Sequence, residues 1–149
     1  MSGDDVVLID GVALTETKIF EQPLGDVFHG VKQTDEHING IAEAYFSFVK
    51  PGEAKGWKRH KMMTLNLLVP IGEIAFCLFD DRPDSATFGV KQTFTLSRYN
   101  YKRLTVPPLI WTAFHGLSLS CNMLVNFTDF PHDPEESENV AIDHIDFIP

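Results

Sequence analysis

The chain has 149 residues, of which 44% are hydrophobic, and it carries a formal net charge of −9. This length predicts one domain over 1–149 with a sizeable core, and the acidic balance argues against binding to nucleic acid, which needs a basic face. No apolar run approaches the roughly 20 residues of a spanning helix, and the acidic start lacks the basic end of a signal peptide, so we expect a cytoplasmic protein without a membrane partner.

Short strand-like segments, separated by turn signals rich in Pro and Gly, follow one another along the chain. The 12 phenylalanines favour an all-β core, because strands accept aromatic side chains on a half-buried face. A short helix is predicted after Pro134, over 136–142. Together the elements predict an all-β jelly roll, a sandwich or barrel of short strands. The predicted strands are 42–49, 64–69, 73–79, 91–96, 103–106, 110–117 and 120–127.

A basic and aromatic cluster, Gly56-Trp57-Lys58-Arg59-His60-Lys61, lies between two apolar strand-like runs. If the cluster is extended, Lys58 and His60 share one face, because side chains in a strand repeat with period two. General acid–base catalysis needs a group that titrates near the operating pH, which a histidine does without help and a lysine does not. The positive charge also suits an anionic ligand. The alternatives are a hydrogen-bonded strand histidine and a solvated or salt-bridged lysine.

The basic cluster and four later segments together resemble the dTDP-4-dehydrorhamnose 3,5-epimerase family of the cupin superfamily. The later segments are DDRPDS at 80–85, LSRYN at 96–100, VPPLIWTAF at 106–114 and NFTDFPHDPEE at 126–136. The resemblance implies a cupin jelly roll that binds a nucleotide-linked 4-keto sugar in its barrel. It also implies a homodimer formed by exchange of N-terminal strands, and a reaction that needs no metal or organic cofactor.

The resemblance further implies a catalytic machinery, of which three positions are altered in this chain. In the family a histidine base removes a proton next to the keto carbon. Lys58 stands at that position here, and His60 lies two residues later. Thr112 corresponds to a second family histidine, and Asn126 corresponds to the family tyrosine that acts as general acid.

A C-terminal aspartate orients the base in the family, and Asp143 and Asp146 are the candidates for this role, with solvated tail charges as the alternative. The other candidates also have structural alternatives, such as core packing for the tryptophans and a turn salt bridge for Arg82. The predicted catalytic residues are His60, Lys58 and Asp143, and the predicted substrate-binding residues are Lys55, Trp57, Arg59, Lys61, Arg82, Thr112, His115 and Asn126.

Metal-dependent chemistry finds little support in the motifs. A metal-binding cupin supplies two histidines one residue apart, and Lys58-Arg59-His60 stands in place of that pair. Two functions therefore remain open. One is an epimerase-like enzyme that acts on a nucleotide-linked keto-deoxy sugar in cell-surface carbohydrate biosynthesis. The other is a catalytically inactive cupin that binds a nucleotide sugar or serves as a scaffold.

Overall fold

The computed structural model describes residues 8–146. The acidic residues 1–7, which contribute to the expectation of a cytoplasmic protein, lie outside this range, as do 147–149. Within it, no helix is long and apolar enough to span a membrane. The strands of the described residues are β1 Ala13–Glu16, β2 Ile19–Phe20, β3 Val27–Phe28, β4 Glu43–Phe48, β5 Ala54–His60, β6 Leu65–Ile71, β7 Glu73–Asp80, β8 Lys91–Ser97, β9 Lys102–Val106, β10 Ile110–Gly116, β11 Met123–Thr128 and β12 Ser137–Asn139.

Two antiparallel five-stranded sheets make up most of the fold. Sheet I has the strand order β1-β9-β6-β11-β4, and sheet II has the order β12-β5-β10-β7-β8. A short hairpin of β2 and β3 is separate from both. Strands that are distant in sequence thus become neighbours in space, which confirms the predicted cupin-type jelly roll.

The main core lies between the two sheets. Leu65, Leu67 and Val69 alternate inward along β6, and Phe76 and Leu78 do the same along β7. Fully burying one such side chain stabilises a fold by about 1.5–3 kcal/mol relative to leaving it exposed. The side chains between these positions are buried too, so both faces of β6 and β7 are covered and only every second residue belongs to the main core.

A second, smaller core lies on the outer face of sheet II. Trp57 and Trp111 pack there with Cys77 and Ala113, and the residues after β12 cover them with Val140, Ile142 and Ile145. The Trp57 indole N–H donates to the carbonyls of Ile142 and Ile145, both at 3.0 Å. We call residues 140–146 the C-terminal strap, because they lie across the back of the sheet.

Most predicted strands are confirmed, with ends that differ by a few residues. The basic cluster lies in strand β5 from Gly56 to His60, and Lys61 follows the end of that strand. The helix predicted over 136–142 is wrong: a 3-10 turn at Pro134–Glu136 leads into β12, and a second 3-10 turn spans Ile142–His144. Backbone pairing of β12 with β5 outweighs the local helix preference, since tertiary contacts readily override propensity.

Candidate active site

A cavity of about 280 Å³ opens between the two sheets. Leucine and phenylalanine side chains form much of its wall, and polar groups enter from both sheets. A mostly apolar pocket with a few convergent polar groups is the usual form of a small-molecule site. The lining residues are Tyr45, Ser47, Lys58, His60, Met63, Leu65, Leu67, Thr112, Phe114, Leu124, Asn126, Thr128 and His132.

His60 is held in this cavity by a buried carboxylate. The distance from His60 Nδ1 to Glu136 Oε1 is 2.7 Å, and Glu136 Oε2 accepts the backbone N–H groups of Met62 and Met63 at 2.9 and 2.8 Å. Burial raises the pKa of Glu136, but the hydrogen bonds from His60 and the two amides more than offset it, so the pKa lies below its ordinary value.

An ionised Glu136 fixes the tautomer of the neighbouring imidazole. A carboxylate can only accept, so His60 Nδ1 carries the hydrogen, and Nε2 is the ring nitrogen left to take a proton. Glu136 also stabilises the imidazolium that would result. The pair has the arrangement of a histidine beside an orienting carboxylate, and the carboxylate that contacts His60 is Glu136, whereas the sequence suggests Asp143.

Lys58 lies two residues before His60 on the same face of β5 and lines the same cavity. Its side chain is exposed, and its ammonium has no hydrogen-bond or ion-pair partner among residues 8–146. A local bulge shapes this stretch, because Thr112 pairs with Lys58 whereas Phe114 pairs with Lys55. Gly56 sits in the bulge at a φ of 137°, where a Cβ atom would lie 2.8 Å from the Cα atom of Ala113.

A second polar group faces the cavity from the edge of sheet I. The Tyr45 hydroxyl donates to Glu43 Oε2, and Glu43 Oε1 accepts the backbone N–H of His132 at 3.3 Å. Tyr45 is the register partner of Asn126 on the adjacent strand β11. A phenol therefore stands one strand away from the position where the family resemblance places its tyrosine. The sequence prediction missed Tyr45, Glu43 and His132, although Glu43, Tyr45 and Ser47 alternate visibly in β4.

Two further predicted residues belong to the cavity wall. Thr112 is buried on β10, and its hydroxyl donates to the carbonyl of Ile110 at 3.5 Å. The side-chain oxygen of Asn126 accepts the backbone N–H of Asn66 at 3.1 Å, which ties β11 to β6. Both side chains are thus held by their own sheets at the edge of the site.

The odd-numbered members of the basic cluster point elsewhere. Trp57 is fully buried in the second core, and Arg59 forms ion pairs with Asp81 and Glu138 on the same outer face. The Lys61 ammonium donates to the carbonyl of Glu135 at 3.1 Å. Period-two alternation explains the separation, because Lys58 and His60 take the inner face.

The remaining predicted residues also lie outside the cavity lining. The ammonium of Lys55 donates to the Phe48 carbonyl at 3.1 Å, and His115 Nε2 lies 3.2 Å from the Gly52 carbonyl. Asp143 is exposed in the 3-10 turn of the C-terminal strap. These positions do not join them to the His60–Glu136 pair.

Arg82 binds its own turn. Its Nε and Nη2 atoms donate to the carboxylate of Asp80, both at 2.9 Å, and Nη2 also donates to the Asp10 carbonyl at 2.7 Å. Burial raises the pKa of Asp80, but hydrogen bonds from Arg82, Ser85 and Thr87 outweigh burial and hold the pKa well below its ordinary value. The turn salt bridge is therefore the arrangement found for Arg82.

Comparisons with known proteins agree with this geometry. A dTDP sugar isomerase from Desulfovibrio desulfuricans G20 is 35% identical, with a TM-score of 0.89 over 91% of this chain and 87% of that one. The probable low-salt glycan biosynthesis epimerase Agl13 of Haloferax volcanii is 29% identical over 109 residues, which are 72% of this chain and 70% of that protein. No protein-family model matches the sequence.

The fold is shared more widely than the sequence. A dTDP-4-dehydrorhamnose 3,5-epimerase from Sulfolobus tokodaii has a TM-score of 0.82 at 24% identity, over 95% of this chain and 83% of its own. At that identity the similarity concerns the fold, whereas the 35% match extends over nearly the whole of both sequences. The chain belongs to the dTDP-4-dehydrorhamnose 3,5-epimerase-like family of dTDP-sugar isomerases and epimerases.

Proposed function

We propose that the protein is an epimerase or isomerase that moves a proton next to the keto carbon of a nucleotide-linked keto-deoxy sugar. The observation that carries the proposal is the His60–Glu136 pair, which stands in the cavity between the sheets with one ring nitrogen free to act as a base. The similarity to a dTDP sugar isomerase and to a probable glycan biosynthesis epimerase supports this substrate class and a role in glycan biosynthesis.

The first step is proton abstraction by His60. Nε2 takes the proton from the carbon next to the keto group, the electron pair of the broken C–H bond forms a C=C bond, and the carbonyl pair moves to the oxygen. The Lys58 ammonium then stabilises the negative charge on that oxygen, and Glu136 stabilises the imidazolium. The Lys58 ammonium and the His60 imidazolium both lie on the inner face of β5.

The second step returns a proton to the enolate. Tyr45 lies on sheet I and His60 on sheet II, so the two groups approach a ligand in the cavity from different sheets. We assign Tyr45 the delivery of a proton on the opposite side of the sugar ring, with Glu43 holding its hydroxyl at the cavity wall. The Tyr45 O–H turns from Glu43 to the sugar, the C=C electron pair takes its proton to form the new C–H bond, and the oxygen pair re-forms the carbonyl. The phenolate then regains a proton from water and the His60 imidazolium releases one to water, which restores the enzyme.

Solvent exchange tests the proposed function directly. The protein is incubated with dTDP-4-keto-6-deoxyglucose in deuterated water, and deuterium at the carbon next to the keto group is followed by NMR. We expect exchange with the unaltered protein and with His37→Asn, a control that changes an exposed histidine at a φ of 64°, which asparagine tolerates. Glu136→Gln should be strongly impaired.

A non-catalytic nucleotide-sugar-binding protein is the second candidate function. Lys58 favours it, because a lysine stands where the family resemblance places the histidine base. Tight binding of the sugar nucleotide by calorimetry without any deuterium exchange would establish this alternative. The absence of both binding and exchange would limit the family relationship to the fold.

We also propose a homodimer and a single domain over 1–149. Strand β4 forms one edge of sheet I, and its Phe46 and Phe48 side chains are 66% and 58% exposed. Exposed aromatic side chains on an open sheet edge are typical of a surface that a second chain covers. Sedimentation should give a dimer mass, and Phe46→Ser combined with Phe48→Ser should shift it toward the monomer.

A further inference from the structure

Arg59 occupies the position between Lys58 and His60 on β5 but faces away from the cavity. Its Nη1 donates to Asp81 Oδ1 and Oδ2 at 2.9 and 3.2 Å, and its Nη2 donates to Glu138 Oε2 at 2.5 Å. The guanidinium carbon lies 4.5 Å from the centroid of the Trp111 ring. Trp111 in turn donates its indole N–H to Asp81 Oδ2 at 2.9 Å. We call these four residues the outer clamp.

The outer clamp joins four neighbouring strands of sheet II. Glu138 belongs to β12, Arg59 to β5 and Trp111 to β10, and Asp81 directly follows β7. Their order in the sheet is also β12-β5-β10-β7. The clamp therefore crosses the sheet at the level of the cavity, on the opposite face from His60.

Strand β12 connects the outer clamp to the orienting carboxylate. It has three residues and forms the edge of sheet II, and Glu136 immediately precedes it. The register pairs Glu138 with Arg59 and Ser137 with His60, and the Glu136 carbonyl accepts the Lys61 backbone N–H at 2.8 Å. Backbone hydrogen bonds tie this edge to β5 at Glu136–Lys61 and at Val140–Trp57, and the side-chain contact of Glu138 with Arg59 adds a further tie between them.

We propose that Arg59 is a positioning residue for the proposed base: through Glu138 and β12 it holds the Glu136 carboxylate against His60 Nδ1. This inference rests on the proposed function for its kinetic readout, whereas its geometric content concerns the His60–Glu136 pair alone. The Arg59 side chain is 22% exposed, and those of Asp81 and Glu138 are 33% and 43% exposed. Because these side chains are only partly buried, we expect the protein to fold when one of them is replaced.

A purely structural role for Arg59 predicts a different result. If Arg59 only stabilised sheet II, its replacement would lower the free energy of unfolding and leave the hydrogen bond between His60 Nδ1 and Glu136 unchanged. A positioning residue changes the tautomer of His60, because the hydrogen stays on Nδ1 only while Glu136 accepts it. The two roles also differ in whether the effect of Arg59 depends on the carboxylate at position 136.

The experiment compares Arg59→Met with a matched control, Arg98→Met. Arg98 also pairs with a carboxylate, Asp26 at 2.7 Å, and lies 5.3 Å from the Phe28 ring, but neither Arg98 nor its partners line the cavity. We expect Arg59→Met to lower the deuterium-exchange kcat by about tenfold with little change in KM, since small misplacement of a reacting group is costly. Arg98→Met should leave both unchanged.

A double-mutant comparison separates positioning from stability. In a Glu136→Gln background, Arg59→Met should cause no further loss of kcat, because the group on which it acts is gone. Arg59→Lys should restore part of the rate, since a single ammonium reaches one carboxylate at a time. An equal loss in both backgrounds would overturn the proposal.

Nitrogen NMR of His60 provides the second readout and needs no activity. We expect the Nδ1–H tautomer in the unaltered protein and in Arg98→Met, and a mixture of tautomers in Arg59→Met. If Arg59→Met does not fold, Glu138→Gln replaces it in both measurements, because this substitution removes the ion pair between Glu138 and Arg59. A protein without any exchange activity would contradict the proposed function, and an unchanged tautomer in the clamp variants would contradict the positioning role.

Discussion

The side chains of the basic cluster on the two faces of β5 lie in different environments. On the inner face, Lys58 and His60 line a cavity, and Lys58 has no partner among the residues that the structure describes. On the outer face, Trp57 is fully buried and Arg59 is paired with two carboxylates. Neighbours in sequence thus have opposite environments, because successive side chains of a strand point to opposite sides.

The comparison shows why a cluster of functional residue types is not by itself a site. Tryptophan and arginine are as well suited to a sugar nucleotide as lysine and histidine are. Strand parity, and the presence of the C-terminal strap on one side only, decide which of them can reach a ligand. Inner-face substitutions should therefore change activity directly, whereas outer-face substitutions should change stability or, at Arg59, change activity through the position of β12.

The largest effect is expected at the centre of the outer face. Trp57→Ala should lower the free energy of unfolding by about 3–5 kcal/mol, because it leaves a cavity and removes the packing of the C-terminal strap. Trp57→Phe keeps a ring but loses the donor to Ile142 and Ile145, and it should cost less. Urea unfolding measures both. A Trp57→Ala protein of unaltered stability would contradict the assignment of this side chain to the core.

Glu136→Gln should have the next largest effect, on the inner face. The substitution removes a carboxylate that accepts from His60, Met62 and Met63, and it should slow deuterium exchange by about 10²–10⁴-fold, the range that general acid–base catalysis contributes. Its stability cost should be about 1–3 kcal/mol, since buried donors lose a charged acceptor. Retention of the full exchange rate would show that another group orients His60.

The pH dependence of stability sharpens the same contrast. The pKa of Glu136 is lower in the folded protein than its ordinary value of 4.5, so its contribution is complete above pH 4.5 and is lost as the pH falls through the folded value. The stability difference between the unaltered protein and Glu136→Gln should therefore be constant near neutral pH and shrink in acid. Urea unfolding at several pH values checks this, and a difference that grows in acid would contradict the sign.

Removal of the inner-face ammonium should have the smallest effect on stability. Lys58→Ala should change the free energy of unfolding by less than about 0.5 kcal/mol, because the side chain is exposed and makes no ion pair within residues 8–146. It should slow deuterium exchange by about tenfold, because the ammonium stabilises the charge that develops on the keto oxygen during the reaction. Lys61→Ala is the matched control, since Lys61 contacts the Glu135 carbonyl outside the cavity. Equal exchange rates of the two variants would contradict the role of Lys58.

The fold was largely predictable from alternation and turn signals. The apolar runs around Leu67 and Phe76 are buried throughout, and every second side chain of each run enters the main core. Gly72, at a φ of 79°, marks the turn between the two strands, whereas Pro70 still belongs to β6. The placement of Lys58 and His60 on one face also followed from period two. The same parity places Trp57 and Arg59 on the other face, although residue type alone made them candidates for substrate binding.

The orienting carboxylate could not be found in this way. Glu136 meets His60 across 76 residues of sequence, through the pairing of β12 with β5. Local propensity favours a helix there, and only the long-range pairing makes the segment a strand. Tyr45 was more accessible to prediction, because Glu43, Tyr45 and Ser47 alternate on one face of β4.

The most direct test of the central claim compares His60→Ala with Lys58→Ala in the deuterium-exchange experiment. If His60 is the base and Lys58 stabilises the developing charge, His60→Ala should abolish exchange, whereas Lys58→Ala should slow it but leave it measurable. Exchange at the unaltered rate in His60→Ala would contradict the assignment of the inner face of β5 as the proton-transfer site.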